Sequence, residues 1–159
     1  MAEAKKIKVL MVCLGNICRS PMAEGILRHK VRQLGLDIET DSAGTSQWHE
    51  GEAPDRRAIG SMESRGINIA DLRARPFHHS DFQEFDYIFA MDSSNYEDIL
   101  QLARDDEERS RVMMIMNLVD RYENVSVPDP YFGGPMQFDR VYDMLDEATD
   151  VFLKGLERG

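Results

Sequence analysis

At 159 residues, with 29 acidic residues against 19 basic and a net charge of -10, the chain suits one domain that buries about two thirds of its unfolded surface. The acidic residues are scattered rather than gathered in a tail, so the surface repels nucleic acid and anionic membrane, and neither is expected as a partner. No run reaches about 18 apolar residues, and the short charged start lacks a signal-peptide core, which reads as a cytoplasmic protein. Two cysteines, Cys13 and Cys18, are no secreted disulfide framework, and together with the four histidines they show no zinc spacing, so neither a metal nor a cofactor is expected.

Apolar runs alternate with stretches of helical period, the pattern of parallel strands joined by crossover helices. Ile7 to Cys13 is apolar enough for a central strand covered on both faces. Ser20 and Pro21 read as N-cap and first residue of a helix with Met22, Ala23, Ile26, Leu27, Val31 and Leu34 on one face and a stop at Gly35. Asp37 to Ser42 is a short second strand, and Pro54 to Arg65 a second helix ending at Gly66. Phe85 to Met91 is a third strand, followed by a helix over Ser93 to Ala103. Arg111 to Met116 makes a fourth strand. Asn117 to Gly134 has little periodicity, and the last helix runs from about Pro135 to Leu156. The expected fold is therefore an α/β single domain, a four-stranded parallel twisted sheet with helices on both faces and a phosphate-binding loop after the first strand.

That loop, Cys13-Leu14-Gly15-Asn16-Ile17-Cys18-Arg19-Ser20-Pro21, lies between strand and helix. Helix N-termini leave amides without partners and carry the positive end of the dipole, so an anion is welcome there. If the five residues between Cys13 and Arg19 curl with their N-H groups inward, a tetrahedral oxyanion faces the Cys13 sulfur and Arg19 closes over two of its oxygens. The same amides favour a thiolate, making Cys13 a nucleophile. Gly15 and Asn16 both tolerate the positive φ that a tight turn needs. The Ser20 hydroxyl is close enough in sequence to hydrogen-bond the sulfur.

These residues resemble the signature of the low-molecular-weight protein tyrosine phosphatases. Asp41-Ser42-Ala43-Gly44-Thr45, Met91-Asp92-Ser93-Ser94-Asn95 and Pro128-Asp129-Pro130-Tyr131-Phe132 agree in order and spacing. The resemblance implies hydrolysis of phosphotyrosine through a cysteinyl-phosphate, with Cys13 as nucleophile, Arg19 binding phosphate and Asp129 as general acid and then base. Read from sequence alone Asp129 is a turn aspartate, but expulsion of a phenolate needs a proton donor that the loop does not supply. By the same resemblance Leu14, Ile17, Trp48 and Tyr131 wall a cleft deep enough to select phosphotyrosine; ordinary packing is the alternative for the two aromatics. Gly15 and Cys18 complete the cradle, and Asn16, Ser42 and Asp92 belong to a network holding the loop and orienting Ser20. Cys18 either fills space or traps oxidised Cys13 as a disulfide. Leu72 stands where relatives usually have His, and Phe132 where many have a second Tyr. The implied partners are tyrosine-phosphorylated proteins, with inorganic phosphate as product and competitive inhibitor.

Two rivals share the scaffold. A phosphoarginine phosphatase tends to carry Thr where this chain has Ile17, and a thiol-dependent arsenate reductase needs further cysteines downstream of Cys18, where this chain has none.

Overall fold

The structure is a computed structural model that describes residues 6–119 and 124–158. Strand β1 (Ile7–Cys13) is followed by helix α1 (Arg19–Leu34), strand β2 (Ile38–Gly44) and helix α2 (Arg56–Glu63). A four-residue helix α3 (Asp81–Glu84), strand β3 (Tyr87–Ala90) and helix α4 (Ser93–Leu102) come next. Then follow a short α5 (Asp106–Ser110), strand β4 (Val112–Met114), a 3-10 turn (Ile115–Leu118) and the long helix α6 (Pro135–Arg158). The four strands are parallel in the order β2-β1-β3-β4, which puts the most apolar strand inside the sheet, as its composition requires.

Side-chain alternation along β1 sorts the core into two layers. Val9, Met11 and Cys13 face α1 and α6 together with Phe89 and Met91 of the β3 segment. Leu10 and Val12 point the other way, into a layer with Ile88, Phe82 and Ile99 that α3 and α4 cover. Helices therefore lie on both faces. On α1 the residues Met22, Ala23, Ile26 and Leu27 are fully buried, and the larger three each contribute about 1.5–3 kcal/mol of burial. The helix ends where expected, at Gly35 in the left-handed conformation (φ 65°), whose geometry lets Leu36 N donate to Val31 O at 3.0 Å.

The beginning of α1 differs from the sequence-based expectation. The helix starts at Arg19, with Cys18 as N-cap and no side-chain cap, so Ser20 lies inside the first turn. Its hydroxyl is drawn away from the cap role by Cys13 and Asn16. Strand β2 runs two residues further than expected because Gly44 continues the pairing, opposite Cys13. The small helices α3 and α5 were invisible as periodicity, since four or five residues make barely a turn.

Candidate active site

Every strand of a parallel sheet delivers its carboxyl end to the same edge, and the loop after β1 lies on that edge. Gly44, at the end of β2, approaches so closely that a Cβ there would stand 2.7 Å from Leu14 O. Just past it, Thr45 N donates to Cys13 O and Ser46 N to Leu14 O, each at 2.9 Å, extending the β1–β2 pairing into the loop. Asn16 takes the positive φ of the turn (58°), and Gly15 does not. Gly15 instead makes room for a neighbour: a Cβ there would come 3.0 Å from His49 Cδ2.

Cys13 is 3% exposed. Its sulfur lies 2.9 Å from Ser20 Oγ and accepts from Asn16 N at 3.2 Å. The Asn16 side chain donates to Ser20 Oγ at 2.8 Å and accepts from Arg75 N at 3.0 Å. Leu14 N donates at 3.3 Å to the side-chain oxygen of Asn95, once that amide is turned so that its nitrogen meets Asp92 Oδ1. Leu14 N and Asn16 N are thus engaged with the protein, while the amides of Gly15, Ile17 and Cys18 find no acceptor among the described residues.

Arg19 is buried, and Nη1 donates to Asp92 Oδ2 at 2.6 Å and to Val127 O at 3.0 Å. Burial opposes its charge, but Cys13, Asp92 and Asp129 outweigh burial and raise its pKa above the ordinary guanidinium value. Asp92 does two jobs: Oδ1 caps α4 by accepting from Asn95 N at 2.7 Å, and Oδ2 holds Arg19. The other guanidinium nitrogen of Arg19 lies 4.0 Å from Asp129 Oδ2. Asp129 Oδ1 accepts from Tyr131 N at 3.0 Å, so it is a turn aspartate and also a carboxylate beside Arg19, its side chain about half exposed (46%).

A cavity of about 270 Å³ opens above Cys13, lined by Leu14, Ile17, Arg19, Asp129 and the aromatic residues Trp48, Tyr131 and Phe132. Trp48 and Phe132 are 79% and 94% exposed, so neither is core packing. The Phe132 ring meets Tyr131 edge-on at 4.9 Å.

Ser42 is corrected by its partner. Its hydroxyl donates to Glu24 Oε1 at 2.7 Å, not to Asn16 or Ser20, because Glu24 on α1 presents a buried carboxyl to the end of β2. That carboxyl is pushed up to about 7, first by burial, then by Asp41 and Asp71 against the opposing Ser42 bond and Arg28. Leu72, at the position where the resemblance implies a His, packs against the core. Cys18 is buried and its thiol is pushed well above the ordinary range by burial and by Asp55; both cysteines are free thiols.

Three residues in or beside the cleft escaped the sequence reading. His49 lines the cavity with Nδ1 3.0 Å from Glu52 Oε2. Asn95 supports the loop as described. Arg57 straps the Asp129 segment to α2: it pairs with Asp55 at 3.0 Å and donates to Tyr131 O at 2.7 Å and Gly133 O at 3.3 Å. Arg57 in turn holds the Asp55 carboxyl below its usual range through the hydrogen bond they share. The only local sign of that strap is the Asp55-Arg56-Arg57 run, which says nothing about a partner more than seventy residues away.

A parallel α/β sheet carrying a Cys-x5-Arg loop at the carboxyl end of an inner strand, under a small aromatic-walled cleft, is the arrangement of a cysteine-dependent phosphatase. The chain belongs to the low molecular weight phosphotyrosine protein phosphatase family, whose model matches residues 8–159. A protein of that name from Schizosaccharomyces pombe is 43% identical over 155 residues, covering 96% of this chain and 98% of its own. The crystal structure of a protein tyrosine phosphatase from Entamoeba histolytica superposes with a TM-score of 0.90 at 39% identity, covering 96% of this chain and 98% of that one. The structure of DARP, a Drosophila arginine phosphatase, does so at 0.88 and 35%, covering 94% and 98%.

Proposed function

We propose that the chain hydrolyses phosphotyrosine in proteins through a phosphocysteine. The observation that carries this reading is the convergence on one cavity of the Cys13 sulfur, the Arg19 guanidinium and the Asp129 carboxyl beneath aromatic walls. Cys13 attacks phosphorus in line, an S–P bond forms, and the bond to the tyrosine oxygen breaks as Asp129 gives that oxygen its proton. Arg19 and the unengaged loop amides hold the equatorial oxygens, where charge gathers in the transition state. A water then attacks phosphorus and gives its proton to Asp129. The S–P bond breaks, phosphate leaves, and the Ser20 hydroxyl again donates a hydrogen bond to the freed Cys13 thiolate. Product phosphate fits the same cradle and competes with substrate. Tyrosine-phosphorylated proteins of the cytoplasm are the partners this chemistry suits; among the described residues no helix is long and apolar enough to cross a membrane.

The likeness to an arginine phosphatase supports a second reading, phosphoarginine as substrate. Ile17 in the cavity wall weighs against it, because a branched apolar side chain suits a phenyl ring better than a guanidinium. Initial rates of phosphate release from matched phosphotyrosine and phosphoarginine peptides, measured with chelator present, decide between them. Faster release from phosphotyrosine is expected. A preference for phosphoarginine would keep the chemistry of Cys13 and overturn the reading of the walls.

A further inference from the structure

The Asn16 amide raises a question of polarity. A backbone N-H can only donate, so Arg75 N forces Asn16 Oδ1 to face it, which turns Asn16 Nδ2 toward Ser20. Ser20 Oγ must then accept from Asn16, and its one proton is left for the Cys13 sulfur at 2.9 Å. The direction of the whole chain is therefore set at Arg75.

The backbone of Arg75 is in turn held from several sides. Gly44 N donates to Arg75 O at 2.8 Å and Phe77 N to Gly44 O at 2.7 Å, laying this segment beside the end of β2. Its guanidinium bridges two elements: Nε and Nη2 donate to Asp41 Oδ2 of β2 at 3.2 and 3.0 Å, while Nη1 and Nη2 donate to Asp81 of α3 at 3.1 and 3.2 Å. Asp81 is buried and also accepts from His78 N at 2.8 Å. A planar fork between two carboxylates is a stiff anchor, which a lysine point charge reproduces only in part.

We infer that Arg75 is a positioning residue for the reaction: clamped between Asp41 and Asp81, it orients Asn16 so that Ser20 points its proton at the Cys13 sulfur. This rests on the reading of Cys13 as nucleophile, but not on the identity of the ester. Arg75→Met keeps the stem and removes the clamp. The readout is the rate of Cys13 alkylation by iodoacetate as a function of pH, alongside kcat and KM for an aryl phosphate. Met keeps the backbone N-H that Asn16 accepts from and the pairing with Gly44, so losing the clamp loosens the chain without deleting it. With a whole hydrogen bond to the thiolate worth about tenfold, the pH of half-maximal alkylation should rise by up to about one pH unit and kcat at neutral pH fall by up to about tenfold. KM should move much less, since Arg19 and the loop amides are untouched.

Arg75→Lys should restore part of both effects. If Arg75→Met does not fold, Arg75→Lys and Asp41→Asn decide the matter, each with a smaller rise in the alkylation midpoint. Folded variants that keep the parent midpoint would overturn the inference, even if kcat fell, because loss of stability alone lowers activity without moving the titration of the sulfur. Alkylation needs no substrate. A raised midpoint in the variants, alongside a parent protein that failed to hydrolyse phosphotyrosine, would sustain the role of Arg75 and overturn the proposed function.

Discussion

Glu24→Gln isolates one buried ionisation. Glu24 is 5% exposed, its carboxyl accepts from Ser42 Oγ, and among the described residues it forms no ion pair, Arg28 being paired with Asp71. Its pKa is pushed up to about 7 from an ordinary 4.5. The folded protein thus keeps the proton that the unfolded chain has already released, and the stability this group contributes is fully present below 4.5 and lost as pH rises through about 7. A displacement of about 2.5 pH units corresponds to about 3 kcal/mol at most. Glutamine keeps an oxygen for Ser42 and cannot ionise, so the variant should lack this loss. At pH 5 parent and variant should melt within a few degrees of each other. At pH 8 the variant should melt about 6–12 °C higher, on the usual conversion for a domain of this size. Thermal melts of both proteins from pH 5 to 8 make the comparison, and the difference between the two curves removes every other titrating group. Parallel curves over that range would refute the assignment of a raised Glu24 carboxyl.

Two substitutions test the chemical roles. Cys13→Ser should abolish turnover while leaving inorganic phosphate bound within a few-fold of the parent affinity, measured by calorimetry, because the loop amides and Arg19 remain; residual turnover near the parent rate would remove Cys13 as nucleophile. Asp129→Ala should slow aryl phosphates in proportion to the basicity of the leaving phenol, by about 10²–10⁴-fold for the poorest leaving groups. A uniform loss across the series would mean that Asp129 does not supply the proton.

Much of the site is written in consecutive residues. The Cys13 to Arg19 loop is a local feature of a strand-loop-helix junction, and spacing alone brings a thiol and a guanidinium to one cavity. The four strands and the long helices announce themselves through apolar period, since a buried strand and an amphipathic helix must each satisfy their own geometry. Where a side chain has two uses, the local sequence shows only one: Ser20 reads as an N-cap, but Cys18 holds that position and Cys13 and Asn16 claim the Ser20 hydroxyl, while Asp129 is the turn residue it reads as and also lies beside Arg19.

What the amino-acid sequence determined by itself is the run of strands and helices and the Cys13–Arg19 loop between the first two; its resemblance to a family supplied the candidates for acid and aromatic wall. Tertiary structure alone decided which distant groups hold them. Asp92 reaches Arg19 across 73 positions, Arg57 straps Tyr131 across 74, and Arg75 aims Asn16 across 59. Such pairings have no local signature, because each is specified by the loops and helices that the fold brings together and not by any spacing along the chain.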